Sequence, residues 1–301
     1  TTADGSGLDA TSKSQTGLGA GTYSVTVTDS KGCPISTSYT ITQPDELQIA
    51  FDDTVSSEIN CFGDNGTLKV DINQASVSPY TYLLEGIELV GNNNVSQSLT
   101  NQTALSQTYD NLKAGTYTVK ITDANGCVEE TPPKTLTQPA AALSMTETLS
   151  SHNGFNITCN NAKNGSINVT VSGGTAAYTY AWTTTDGTGL VAAAEDQDGL
   201  GPGTYSLTVT DSKNCPITKD FIITEPPVLN ITELISSHNG FNITCNNAKD
   251  GAINVTVTGG TSVYTYAWTT ADGSGWDATA EDQTGLGPGT YLLDVTDSNS
   301  C

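Results

Sequence analysis

One phrase of the chain, GTYSVTVTDSKGC at residues 21–33, returns three times with small edits: GTYTVKITDANGC from Gly115, GTYSLTVTDSKNC from Gly203 and GTYLLDVTDSNSC from Gly289. The steps between the four glycines are 94, 88 and 86 residues. Helical solenoid repeats are shorter, roughly 20 to 50 residues, whereas a small all-β domain needs about 100. A period near 90 therefore predicts a string of beads, each with its own core.

The rest of the unit repeats too. SSHNGFNITCNNAKNGSINVTVSGGTAAYTYAWTTTDG from Ser150 returns from Ser236 as SSHNGFNITCNNAKDGAINVTVTGGTSVYTYAWTTADG. The closers ITQP at Ile41, LTQP at Leu136 and ITEP at Ile223 mark the joints. These signals place full repeats at 45–139 and 140–226. Residues 1–33 match 269–301 without a gap at 23 of 33 positions. Residues 1–44 thus read as the C-terminal part of a truncated repeat, and 227–301 as a repeat short of its last strand. The expected picture is a window cut from a longer array.

Strands follow from alternation. Tyr23, Val25 and Val27 fall on one face of the repeated phrase and Ser24, Thr26 and Thr28 on the other, and Ile167, Val169 and Val171 alternate in the same way. No helical period is sustained. The fold class expected is all-β, as tandem immunoglobulin-like β-sandwiches in an elongated array.

Lys plus Arg number 10 against 32 Asp plus Glu, a net charge of −22. Nucleic acid is disfavoured as a partner, because its phosphates demand a basic surface. Neither an apolar run long enough to span a membrane nor a signal peptide is read in the sequence, as expected of an internal fragment.

The order C…NG.I.V.V.GGT..YTY.W…GTY…VTD..GC…ITQP resembles the SprB repeat, found in giant surface adhesins of gliding bacteria that use type IX secretion. The resemblance covers essentially the whole chain. The repeat from Asp45 departs from it, since QASVSPYTYLLEG has neither the GGT nor the Trp. What the resemblance implies is an extracellular, bacterial cell-surface adhesin or filament, with surface polysaccharide or another extracellular ligand and further repeats of the same chain as partners.

The seven cysteines stand at 33, 61, 127, 159, 215, 245 and 301, one early and one late in each full repeat. In a surface protein such pairs read as disulfides; zinc would need clustered ligands such as C-x2-C. The expected pairing lies within repeats, Cys61 with Cys127, Cys159 with Cys215 and Cys245 with Cys301, leaving Cys33 over. Pairing of neighbours, 33 with 61, 127 with 159 and 215 with 245, is the open alternative, and it would bolt adjacent domains together. Within-repeat pairing fails if the early cysteine sits at the far end of its own domain.

Other polar and aromatic groups invite chemistry. Tyr178, Tyr180 and Trp182 share one strand face, as do Tyr264, Tyr266 and Trp268, and such stripes can stack on sugar rings. Burial in the sandwich core is preferred for them, as for the strand-C Trp of immunoglobulin domains. Asp272, Asp277, Glu281 and Asp282 share one loop, and calcium is the ion that oxygen-rich loops take. Exposed loop carboxylates are the preferred reading there, and no cofactor is expected. His152 and His238 sit in SSHNGFN phrases that read as turns, and the repeat from Asp45 has no histidine. A Ser-His-acid triad would have to converge in space, and nothing points to that. No enzyme activity is expected.

The joints ITEPPVLNIT and ITQPDELQIA carry no Gly/Ser spacer, and Pro226 and Pro227 favour a semi-rigid path. The expected function is the stalk of a repetitive adhesin mediating attachment and gliding, with an array of carbohydrate-binding modules as the rival.

Overall fold

The computed structural model describes residues 1–301, which form twenty-one strands and no helix. Contacts divide the chain into two compact units: Thr1–Ile59 with Gly63–Gln138, and Asn60–Phe62 with Pro139–Cys301.

In the first unit, β1 (Gly21–Thr28) and β2 (Pro34–Ile41) form an antiparallel hairpin closed around Asp29–Cys33. The repeat that follows supplies β3 (Gln48–Phe51), β4 (Gly66–Gln74), β5 (Tyr80–Glu88), β6 (Asn94–Gln102), β7 (Ser106–Leu112), β8 (Gly115–Thr122), β9 (Val128–Glu130) and β10 (Lys134–Leu136). One sheet runs β3-β4-β7; the other runs β10-β8-β5-β6, with β9 also on β8. The alternation in TLKVDI and TYTVKI buries Leu68, Val70, Val119 and Ile121 between the sheets, with Tyr82 and Leu84 from β5.

The second unit holds two repeats. The first has β11 (Ser144–Leu149), β12 (Gly165–Ser172), β13 (Thr179–Thr184), β14 (Gln197–Leu200), β15 (Gly203–Thr210) and β16 (Pro216–Ile223). Its sheets are β11-β12-β14 and β13-β15-β16. In immunoglobulin letters these are strands A-B-E facing C-F-G, without strand D. In the first unit β6 adds a C′ strand beside C. The last repeat has β17 (Asn230–Ile235), β18 (Gly251–Thr258), β19 (Thr265–Thr270), β20 (Gln283–Leu286) and β21 (Tyr291–Thr296), paired β17-β18-β20 and β19-β21. All pairings are antiparallel, so the chain is an immunoglobulin-like, all-β tandem.

The GTY phrase has a specific job. The Tyr205 hydroxyl donates to the carbonyl oxygens of Gly201 and Thr188, at 2.9 and 2.8 Å. Tyr23, Tyr117 and Tyr291 likewise reach the carbonyls of Gly19, Lys113 and Gly287. This is a tyrosine corner, the aromatic clamp at the start of strand F that ties the incoming loop to the sandwich. The glycine before it is needed for space: at Gly203, with φ +148°, a Cβ would lie 2.6 Å from the Cα of Gly187. One buried hydroxyl, that of Tyr109, has no partner.

Candidate functional site: a disulfide joint between repeats

Strand register decides where the cysteines stand. β12 begins at Gly165, opposite Leu200 at the end of β14, and Ile157 donates to Thr224 just past the end of β16. Cys159 therefore lies at the end of the sandwich where β15 begins and β16 finishes. Cys215 lies in the β15–β16 turn, at the opposite end. β15 is eight residues long, so the two are separated by roughly 25 Å at ~3.3 Å per residue. A disulfide reaches about 7 Å between Cα atoms.

Within-repeat pairing is thus geometrically closed, and the structure corrects it. Cys61 pairs with Cys215 and Cys159 with Cys301, with Cα atoms 5.6 and 5.7 Å apart. Each bridge joins the early cysteine of one repeat to the late cysteine of the next, a connectivity that the neighbour alternative also missed. Cys127 and Cys245, expected in bridges, carry free exposed thiols, as does Cys33. The physical cause is the path of the chain. It leaves a sandwich at the end that carries the early cysteine and enters the next at the end that carries the late one.

Each late cysteine is held by an aspartate. In the turn Asp211–Cys215, Asp211 Oδ1 accepts from the backbone N–H groups of Lys213 and Cys215 at 2.8 and 2.9 Å, and Oδ2 accepts from Thr175 N–H at 2.8 Å. Burial disfavours the Asp211 carboxylate, but the N–H groups of Cys215, Thr175 and Lys213 outweigh it and hold the group below the usual range. Asp297 does the same for Cys301, with burial again outweighed by N–H groups of Cys301 and Thr261. Asp123, helped first by the Ser76 hydroxyl, fixes Cys127 in the same way. The spacing Asp-x3-Cys is present in all four copies of the phrase and is the signal from which this turn was legible.

The receiving side of the Cys159–Cys301 bridge contains the turn His152–Phe155. His152 and Phe155 exchange backbone hydrogen bonds, and Asn153 and Gly154 have φ of +48° and +95°, the Asn-Gly chemistry of a tight hairpin turn. Its tip donates from Asn153 Nδ2 to Asn299 Oδ1 at 2.6 Å and to Ser298 Oγ at 3.2 Å. Asn299 Nδ2 in turn donates to Thr158 O at 3.0 Å. A cavity of about 180 Å³ lies beside the bridge, lined by Cys159, Pro226, Pro227, Asp297 and Cys301 among others. The SSHNGFN phrase marks His152 as a turn residue, whereas the contact of Asn153 and Thr158 with Asn299 spans more than 140 residues and has no local signal.

The other expected sites fall elsewhere. Trp182 is 3% exposed and Trp268 4%. The Trp182 ring lies 5.4 Å from that of Phe221, and its Nε1 donates to Ala194 O. Tyr178 and Tyr180 pack on the same core, and Tyr178 donates to Gly173 O. Burial and then Glu195 push Tyr180 up to about 12. Tyr264 repeats the Tyr178 contact at Gly259 O, and Tyr266 is half-buried. The tryptophan of each stripe thus lies in the core, where a small sandwich needs its aromatic area, while Tyr178, Tyr180, Tyr264 and Tyr266 stay partly exposed.

The four loop acids do not converge on one point. Asp272 accepts from Thr290 N–H, Asp277 from Thr279 and Asp282 from Val255 N–H, while Glu281 lies by the Tyr266 hydroxyl. The three aspartates each cap their own stretch of backbone, and no group of three or more His, Cys, Asp or Glu side chains is placed to hold a metal ion. No helix is long and apolar enough to cross a membrane.

Fold and site together define a class: tandem immunoglobulin-like repeats cross-linked from one repeat to the next. Two segments, residues 155–187 and 241–273, match the family model of the SprB repeat. Solved structures similar to it include the C-terminal 282-residue fragment of intimin in complex with the intimin-binding domain of its translocated receptor. That likeness has 14% identity and a TM-score of 0.37 over 63% of this chain and 67% of that one. A tetra-tandem repeat from the extending region of a large adhesion protein is 12% identical, with a TM-score of 0.25, over 94% of this chain and 71% of that one. No curated protein matches the chain.

Proposed function

We propose that the chain is a load-bearing stalk segment of a large, repetitive cell-surface adhesin. It is extracellular, on a bacterial surface, and serves attachment and gliding, with ligand binding placed outside these sandwich cores. No catalytic step and no cofactor is assigned to it. The observation that carries this reading is the linkage of the early cysteines Cys61 and Cys159 to Cys215 and Cys301, the late cysteines of the repeats that follow. Persistent structural disulfides favour an oxidising, extracellular setting, and the acidic surface keeps neighbouring molecules apart.

The linkage has a mechanical meaning. Along the backbone Cys61 and Cys301 are 240 residues apart. Through both bridges the shortest covalent path crosses only the 56 residues between Cys215 and Cys159. Pulling loads the middle repeat and shields both joints. At ~3.3–3.6 Å per residue, reduction should release roughly 600–660 Å of additional contour length.

Single-molecule pulling from the two termini tests this. Within the span from Cys61 to Cys301, the oxidised chain should yield one short extension, from the middle repeat alone, and reductant should restore the full length. Three separate short steps, one per repeat, would mean bridges inside repeats and would overturn the stalk mechanism. Labelling of intact cells with antibody against the fragment checks the location.

A further inference from the structure

The first full repeat has a strand that the others lack. In the later repeats the loop after strand C closes on that strand's free edge, where Trp182 N–H donates to Ala192 O and Trp268 N–H to Ala278 O, both at 2.9 Å. In the first full repeat β6 takes the place of that loop, pairs with β5 and leaves its own outer edge free. An edge strand presents a row of unpaired N–H and C=O groups, which proteins protect by short length, charge, proline or cover. The other edges of the two full repeats have such protection. β3 and β14 are four residues long and β9 and β10 three, while β7, β11 and β16 carry Asp110, Glu147 and the pair Lys219 and Asp220. β6 has nine residues, NVSQSLTNQ, with no proline, inside a run from Leu89 to Tyr109 that holds no charged residue. Its register with β5 is regular from Asn94 to Leu99 and shifts only beyond.

The chemistry of that edge is the same read in either direction. Gln97 stands between Ser96 and Ser98, and outside them stand Val95 and Leu99. Val95, Gln97 and Leu99 lie opposite Gly86, Leu84 and Tyr82 of β5 and share the inner face, where Val95 and Leu99 pack half-buried on the core. Ser96 and Ser98 are exposed on the outer face, opposite Glu85 and Leu83. Two antiparallel copies of β6 with a two-fold axis at Gln97 put Gln97 opposite Gln97, each Ser96 opposite a Ser98 and each Val95 opposite a Leu99. Every pair then shares a face, as antiparallel pairing requires, and like meets like in polarity. Hydroxyl pairs of this kind already join strands within the chain: Ser24 with Ser38 and Thr26 with Ser36, both at 2.8 Å across β1 and β2. No charged residue enters the contact, which matters between chains of net charge −22.

We propose that β6 is a docking edge for a second copy of this chain: the two β6 strands pair antiparallel about Gln97 and join the β10-β8-β5-β6 sheets of two first full repeats into one continuous sheet. The contact uses the same patch on both chains, so it closes into a dimer and does not propagate. It is lateral. The bridged cysteines stand at sandwich ends, so linkage from repeat to repeat along the chain leaves this side edge free. The stalk reading does not require the pairing, and either stands if the other fails.

The test is sedimentation velocity on the oxidised chain with the thiols of Cys33, Cys127 and Cys245 alkylated, so that no new disulfide can link two chains. A concentration-dependent equilibrium between monomer and dimer is expected. More dimer should form at ~1 M than at ~0.1 M salt, because screening shortens the range of repulsion between two acidic chains from ~10 Å to ~3 Å. At ~0.1 M salt, Gln97→Lys sets like charges opposite each other and should weaken the dimer roughly tenfold, as should Gln97→Glu; an equimolar mixture of the two should recover it. Both variants should keep the thermal midpoint of the unaltered chain, since Gln97 is exposed. A chain that stays monomeric up to about 1 mM, a dimer unchanged by Gln97→Lys, or a mixture that fails to recover the dimer would each overturn the proposal.

Discussion

Fourteen identical residues meet two fates in this molecule. In Ser150–Lys163, Phe155 is half-buried and Ile157 is fully enclosed, whereas in Ser236–Lys249 Phe241 is 73% exposed. The first copy is covered by the exit of its own repeat. Asn156 and Thr224 share several hydrogen bonds, Glu225 accepts from Asn161 N–H, and Pro226 O accepts from Asn160. The turn ending in Cys301 then closes over the other side. Local turn geometry is the same in both copies, so the sequence determines the shape of the turn and its neighbours determine its burial.

The largest test of that contrast is to make the first copy resemble the second. Cys159→Ser opens a bridge spanning 142 residues, and should cost roughly 3–5 kcal/mol in the chain-entropy account. Hydrogen exchange at Phe155–Asn160 should rise toward that of Phe241–Asn246. Cys245→Ser should shift thermal unfolding by less than about 0.5 kcal/mol; equal effects of the two substitutions would erase the distinction.

The cores of the two repeats differ next. Trp182 packs on Phe221 of β16, whereas Trp268 stands in a sheet where β21 pairs only with β19. Trp182→Ala should cost about 3–5 kcal/mol in denaturant unfolding followed by circular dichroism, and Trp268→Ala clearly less. At the turn tips, Asn153→Ala removes two hydrogen bonds and should cost about 1 kcal/mol, while Asn239→Ala should be silent. Unfolding midpoints of the two variants separate these outcomes.

The smallest effect concerns the residue just after the identical stretch. Thr158 N–H donates to Asn164 in the first copy, and Thr244 N–H donates to Asp250 in the second. The Thr244 hydroxyl, then its N–H, hold Asp250 below its ordinary 3.8. A carboxylate with a lowered folded-state pKa stabilises the loop fully above that ordinary value, and the contribution is lost as pH falls from there through the lowered folded-state value. Protection of the Thr244 amide, taken relative to its intrinsic exchange rate, should therefore fall on acidification below about pH 4, more than that of Thr158. Asp250→Asn should remove the difference.

Much of this was legible in the residues. The 90-residue period, the alternating TYSVTVT strands and the Asn-Gly turn gave the sandwiches and their order, because a two-residue side-chain period and a left-handed turn are local properties of the chain. The inward direction of Trp182 was preferred from its role in small sandwiches, and burial agrees. The tyrosine corner was present in GTY but was read only as alternation, since its hydrogen bond closes on a carbonyl four residues upstream that alternation does not reveal.

The sequence by itself thus determined the repeat, the strands, the Asp-x3-Cys turns and the presence of one early and one late cysteine in each full unit. Tertiary structure alone decided which cysteines meet. Within one sandwich the early and late positions lie at opposite ends of an eight-residue strand, farther apart than any disulfide can span. The chain's exit at one end and entry at the other bring the early cysteine of one repeat against the late cysteine of the next. Residues distant in sequence, Cys159 and Cys301, become neighbours through strand direction, a property of the assembled sheets that no local pattern carries.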